Sequence, residues 1–303
     1  MTSATPQNSS DPQPLRVGHV GLGYWGPNIV RVLSTSSTCQ LAGLCDLSAA
    51  HLSRFAGLYP GVPTYQDFQQ LLDSDVEAVT IATPISTHYE LARRALMSGK
   101  HVFVEKPLSH TSGHARKLVA LAAEKGLTLF TGHTFIYSPA VIKVKEMIDA
   151  GELGDLHYIS LSRVNLGLYQ KDVDVVWDLA VHDISILLYW LNESPIRGAS
   201  FGRACVQNQK RDVAFLWFEF PSGLVASNEI SWISPQKMRR TCVVGSRRMV
   251  VYDDTDPNEK LKVYDRGVDF KNPETFGEFQ LSYRIGDMHA PYLGNAEPLA
   301  LEM

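Results

Sequence analysis

Three glycines at fixed spacing, Gly21-Leu22-Gly23-Tyr24-Trp25-Gly26, follow the β-rich run of residues 16–20 and open onto a helical pattern that starts with Pro27. No other feature constrains the chain as much. A strand, a tight glycine turn and a helix start together set a phosphate group against free backbone N–H groups and the positive end of a helix dipole. Gly21 permits the turn, Gly23 the approach of a pyrophosphate to the backbone, and Gly26 the contact between helix and strand. Proline suits the first turn of the helix. Tyr24 and Trp25, set among the glycines, are expected to pack over the same loop.

The next hundred residues fit that start. Apolar β-rich runs at 16–20, 41–45, 78–82, 101–104 and 127–131 alternate with helical spacing at 28–33, 49–55, 90–97 and 114–124, the pattern of βαβ units and a parallel sheet. Residues 15–131 are therefore expected to form an α/β Rossmann domain, a doubly wound parallel sheet. The second strand ends at Cys45-Asp46, twenty positions beyond Gly26. An acid there accepts hydrogen bonds from ribose hydroxyls and repels a 2′-phosphate, which points to NAD rather than NADP. The competing reading makes Asp46 a helix cap.

After residue 131 the pattern changes. A helix at 140–150 ends at Gly151, and strands are expected at 157–164, 212–220, 224–232, 239–244 and 249–252, with one helix at 179–191 that stops before Pro195. Short turns such as Pro221-Ser222-Gly223 favour antiparallel pairing. Residues 132–303 thus read as an α+β domain with a mainly antiparallel open sheet, expected to bind substrate and to carry oligomerisation.

A length of 303 residues suits two such domains. The net charge of −4 provides no basic field for nucleic acid. Residues 1–14 are polar, contain three prolines and lack an apolar core, so they read as a disordered leader rather than a signal peptide. No apolar run reaches the roughly 20 residues of a membrane-spanning helix, and a cytoplasmic location is expected. Cys39, Cys45, Cys205 and Cys242 show no C-x-x-C spacing and read as buried reduced thiols rather than a metal site, which is the alternative.

Two further segments carry chemistry. Thr83-Pro84-Ile85-Ser86-Thr87-His88 follows the strand at 78–82, at the carboxyl edge where doubly wound sheets bind ligands, and the strand after it ends in Val104-Glu105-Lys106-Pro107. Thr83, Pro84, His88 and Glu105 are placed at the cofactor. A lysine there can stabilise a developing alkoxide, although alone it also reads as a surface cation paired with Glu105. Asp178 and His182, four residues apart at a helix start, share one face. An imidazole there can take a hydroxyl proton; the plain alternative is a helix cap and a half-buried histidine.

Glu105-Lys106-Pro107, the glycine fingerprint, Asp46 and Asp178-Leu179-Ala180-Val181-His182 together resemble the Gfo/Idh/MocA family of oxidoreductases, from about residue 15 to the end. The resemblance implies an NAD-dependent dehydrogenase acting on a secondary alcohol of a sugar. Lys106 would bind the reacting oxygen, Pro107 would be cis, His182 would be the general acid/base and Asp178 its partner. His133, Tyr137, Arg163 and Asn165 would contact substrate.

The stretches 131–139 and 164–169 resemble the nucleotide-sugar branch, acting at C3 of UDP-N-acetylglucosamine-type sugars. Inositol or a free hexose is the alternative within the same chemistry. A glycosidase working by transient oxidation, or a sugar sensor, is the alternative outside it. The family implies a homodimer or homotetramer. It also implies a helical return to the first domain after residue 303, so the chain reads either as truncated there or as lacking that support.

Overall fold

The computed structural model describes residues 13–167, 169–170, 172–206, 209–270 and 281–303. The expected leader lies almost wholly outside these residues, as does Leu168. Two compact units divide the chain, one ending at Gly132 and the other running from His133 to Glu302.

The first unit contains β1 (Leu15–Val20), α1 (Gly26–Thr35), β2 (Cys39–Cys45), α2 (Ala49–Leu58), β3 (Thr64–Tyr65), α3 (Phe68–Leu72), β4 (Ala78–Ile81), α4 (Ile85–Met97), β5 (His101–Glu105), α5 (Ser112–Lys125) and β6 (Leu129–Gly132). Its six strands pair in parallel in the order β3-β2-β1-β4-β5-β6. The chain reverses its winding direction between β1 and β4, which opens a crevice at the strands' carboxyl ends. Ile29, Leu33, Leu44 and Ile81 are fully buried, each stabilising the unit by roughly 1.5–3 kcal/mol. β3 and α3 are additions to the expected pattern, too short to show periodicity.

The second unit contains α6 (Pro139–Asp149), β7 (Leu156–Leu166), α7 (Val181–Leu191), β8 (Arg197–Arg203), β9 (Val213–Glu219), β10 (Val225–Ser231), β11 (Ile233–Gly245), β12 (Met249–Asp253), β13 (Leu261–Phe270), β14 (Leu281–His289) and α8 (Pro298–Glu302). Its strand order is β14-β13-β12-β11-β7-β10-β9-β8. Pairing is antiparallel as expected except between β7 and β10, which run parallel. That pair is not joined by a hairpin: α7, β8 and β9 intervene, and only such a long connection permits parallel neighbours.

Helices α6 and α7 cover one face of this sheet, burying Val141, Val144, Ile186 and Trp190 against Ile159, Ala226, Val243 and Val250. The Trp190 indole N–H donates to the carbonyl of Val141 at 2.9 Å, which ties α7 to α6. Asn192, in the left-handed region at φ 52°, ends α7. The short helix α8 packs on the single turn at Thr134–Tyr137, where Glu302 accepts a 2.5 Å hydrogen bond from Thr134.

All four cysteines are free, but only Cys45 is buried; Cys205 is exposed because it lies in a loop rather than on a strand. Among the described residues no helix is long and apolar enough to cross a membrane.

Candidate active site

In the first unit the glycine loop has the shape its spacing predicts. Gly21 sits at φ 98°, and a Cβ there would come within 2.5 Å of the Ala82 carbonyl oxygen. At Gly26 a Cβ would collide with the carbonyl oxygen of Gly21. Nothing lies within 4 Å of the Cβ position at Gly23, so the backbone there is open to a close ligand. No side chain caps the amino end of α1, where Pro27 has no N–H and the Asn28 N–H is given to the Trp25 carbonyl, so the attraction for an anion there comes from the helix dipole and the glycine-loop backbone.

Asp46 is not a helix cap: Ser48 caps α2, while Asp46 accepts from Leu22 N at 2.7 Å and from Ser48 N at 2.8 Å. It therefore pins the glycine loop to the end of β2 and sets a carboxylate at the crevice. These residues fit a dinucleotide. Tyr24, 86% exposed, does not pack over the loop as expected. Trp25 turns toward β5, where its indole N–H donates to Glu105 Oε1 at 2.6 Å.

Glu105 is 9% exposed, and burial pushes its carboxyl up to about 7 against the opposing pull of Trp25 and Lys106. Lys106 follows β5, half-buried, and its peptide bond to Pro107 is cis. Thr83 and Pro84 lie just after β4, with the Thr83 hydroxyl 2.7 Å from that of Thr87. His88 sits in the first turn of α4, with both ring nitrogens turned to backbone carbonyls of its own unit rather than outward.

In the second unit Asp178 and His182 stand on either side of a change of winding. Residues Val176–Ala180 form a π-helical turn that passes directly into α7. Such turns insert an extra residue and recur at functional sites. Asp178 accepts from the Trp232 indole N–H at 3.1 Å. The His182 ring meets Phe135 edge-on, centroids 4.8 Å apart. His133 and Tyr137 flank that phenylalanine on the half-buried segment after β6. Burial raises the Tyr137 hydroxyl above its usual range, with Glu302 adding to it.

Asn165 stands at the end of β7, its Oδ1 buried without a hydrogen bond. Arg163 departs from expectation. It is buried, its Nε donating to Asp183 Oδ1 at 2.8 Å, and its guanidinium lies 4.5 Å from the centre of the Phe135 ring. Asn228 holds the other oxygen of Asp183 at 3.0 Å. Arg163 thus anchors α7, with its Nε and Nη2 committed to Asp183.

Sequence reasoning missed Asp183, Phe135, Trp232 and His19. His19 is fully buried, with Nε2 at 2.9 Å from the Gly21 carbonyl oxygen and Nδ1 at 2.8 Å from the Thr80 hydroxyl. The carbonyl requires a donor at Nε2, and the ring, kept neutral by its burial, then accepts at Nδ1 from the Thr80 hydroxyl, whose other acceptor, the Gly18 carbonyl oxygen, lies farther off at 3.4 Å. Burial lowers it to about 4. The signal was present: one histidine between Gly18 and Val20 on the strand that leads into the glycines.

A family model described as the oxidoreductase family with an NAD-binding Rossmann fold matches residues 15–133, and the GFO/IDH/MocA C-terminal domain model matches residues 141–251. The chain is 29% identical to UDP-N-acetylglucosamine 3-dehydrogenase of Acidithiobacillus ferrooxidans over 259 residues, 84% of this chain and 78% of that protein. A solved structure of the same enzyme superposes with a TM-score of 0.77 at 27% identity, covering 96% of this chain and 86% of that one. Inositol 2-dehydrogenase of Salmonella typhimurium is 28% identical over 185 residues, 59% of this chain and 55% of that protein.

Proposed function

The chain belongs to the Gfo/Idh/MocA oxidoreductase family, and on that premise we propose that it transfers a hydride between NAD and a secondary alcohol of a sugar, at C3 of a nucleotide-linked sugar. The observation that carries the reading is a complete set of groups: the open glycine loop with Asp46, the cis Lys106–Pro107 turn after β5, and the Asp178/His182 pair. When bound, the nicotinamide accepts or returns the hydride.

Each residue then has one task. His182 takes the hydroxyl proton as the carbon is oxidised and returns it in reduction. Lys106 donates a hydrogen bond to the same oxygen and stabilises the charge that develops on it. Asp178, oriented by Trp232, sets the register of imidazole and substrate. Asp46 accepts from the ribose and disfavours a 2′-phosphate. His133, Tyr137 and Asn165 take substrate hydroxyls, and Arg163 acts one layer behind them by fixing α7.

The similarity to a UDP-N-acetylglucosamine 3-dehydrogenase favours a nucleotide sugar, and that to an inositol dehydrogenase makes free inositol the second ring to try. Absorbance at the NADH band, with NAD and a panel of UDP-N-acetylhexosamines, free hexoses and inositols, should rise with a UDP-linked sugar. A rise with inositol alone overturns the nucleotide-sugar part. Tight NAD binding with no rise on any substrate overturns the dehydrogenase reading in favour of a glycosidase or sensor.

The open face of the second sheet supports a homo-oligomer. Phe201, Phe215, Trp217, Val225 and Tyr158 are exposed there on neighbouring strands β8, β9, β10 and β7. An apolar patch repeated along paired strands marks an association surface, and a second copy can cover it symmetrically. Sedimentation at micromolar concentration should return a dimer or tetramer. A monomer would remove this proposal.

A further inference from the structure

His88 is 1% exposed and uses its two ring nitrogens on two different turns. Nε2 lies 2.8 Å from the carbonyl oxygen of Thr83, in the turn after β4, and Nδ1 lies 2.9 Å from that of Pro107, in the turn after β5. A carbonyl oxygen can only accept. A neutral imidazole carries one N–H, so it would satisfy one carbonyl and set a lone pair against the other. With both protons it satisfies both.

His19, one strand away, shows the contrast: its partners are one carbonyl and one hydroxyl, which a neutral ring satisfies completely. We propose that His88 is held as an imidazolium and braces the turn after β4 to the Lys106–Pro107 turn. It is a positioning residue: both ring nitrogens face backbone carbonyls, and it fixes the peptide next to Lys106.

Desolvation opposes a buried cation, and two charge-assisted hydrogen bonds of good length offset it. Glu105 is bound to Trp25 and raised toward neutrality, Glu90 on α4 is paired with Arg93, and on α5 the His114 ring stacks on Tyr89. Lys106 adds a like charge on the neighbouring turn, which the two carbonyl bonds work against.

Imidazole ¹⁵N NMR on the full-length protein at pH 7.5, with the signal assigned by its loss in His88→Gln, decides the protonation state without any turnover. Two protonated nitrogens are expected; one bare nitrogen would overturn the proposal. A kinetic arm rests on the dehydrogenase reading. His88→Gln should lower kcat about tenfold, since a misplaced catalytic group costs up to about a hundredfold per ångström, and leave NAD affinity within about threefold. An unchanged kcat would remove the positioning role, whatever the NMR shows.

Discussion

Replacing His182 by alanine is expected to lower kcat by about 10²- to 10⁴-fold, the usual yield of a positioned acid/base group. Affinity for NAD should stay within about twofold, because the glycine loop and Asp46 belong to the other unit. His182 is half-buried and Phe135, Arg163 and Asp183 hold the segment around it, so folding should survive the truncation. Lys106→Met should cost a similar factor by removing the donor to the developing alkoxide.

The double variant carries the sharper information. Two groups that handle one hydroxyl act as a unit, and the second loss adds little to the first. Steady-state rates for the two single variants and the double should therefore be strongly non-additive. If the factors simply multiply, Lys106 and His182 do not serve the same oxygen and the assigned roles fall.

What could be read from the sequence was local. The glycine spacing, the acid at the end of β2 and the lysine after β5 are set by chain distances of a few residues, and the structure shows each in its expected backbone setting. Partners distant in sequence could not be read. Periodicity puts Arg163 on a strand without showing that it faces Asp183, twenty residues on. β8 is exposed along its whole length and contains two glycines, so it lacks the apolar alternation that reveals a strand. The parallel pairing of β7 with β10 is a product of topology. The π-helical turn before α7 is also silent in sequence: the spacing of Asp178 and His182 looks the same in an ordinary helix.

Glu105 supplies the second large effect, on stability rather than rate. Its carboxyl titrates at about 7 in the folded protein because burial disfavours the charge, against 4.5 unfolded. A carboxyl raised in this way contributes stability that is fully present below pH 4.5 and is lost as pH rises to 7, because the unfolded chain releases the proton first. Glu105→Gln keeps an oxygen for the Trp25 indole and removes the ionisation. The variant should match the wild type near pH 4.5 and exceed it by about 3 kcal/mol at pH 8.

His19 works in the opposite direction. Lowered to about 4 from 6.5, it contributes stability present above pH 6.5 and lost as pH falls toward 4. In the wild type the two trends oppose each other between pH 4.5 and 6.5, and the contribution of this pair is nearly level. With Glu105 replaced, His19 alone governs the window, so stability should climb with pH across it. Urea unfolding of both proteins at pH 5, 6.5 and 8, followed by tryptophan fluorescence and by circular dichroism, separates the cases. An offset independent of pH would mean that Glu105 ionises like an ordinary surface acid. A gap that opens with pH would show that the chain keeps a costly acid beside Lys106, as functional sites do and stable cores do not.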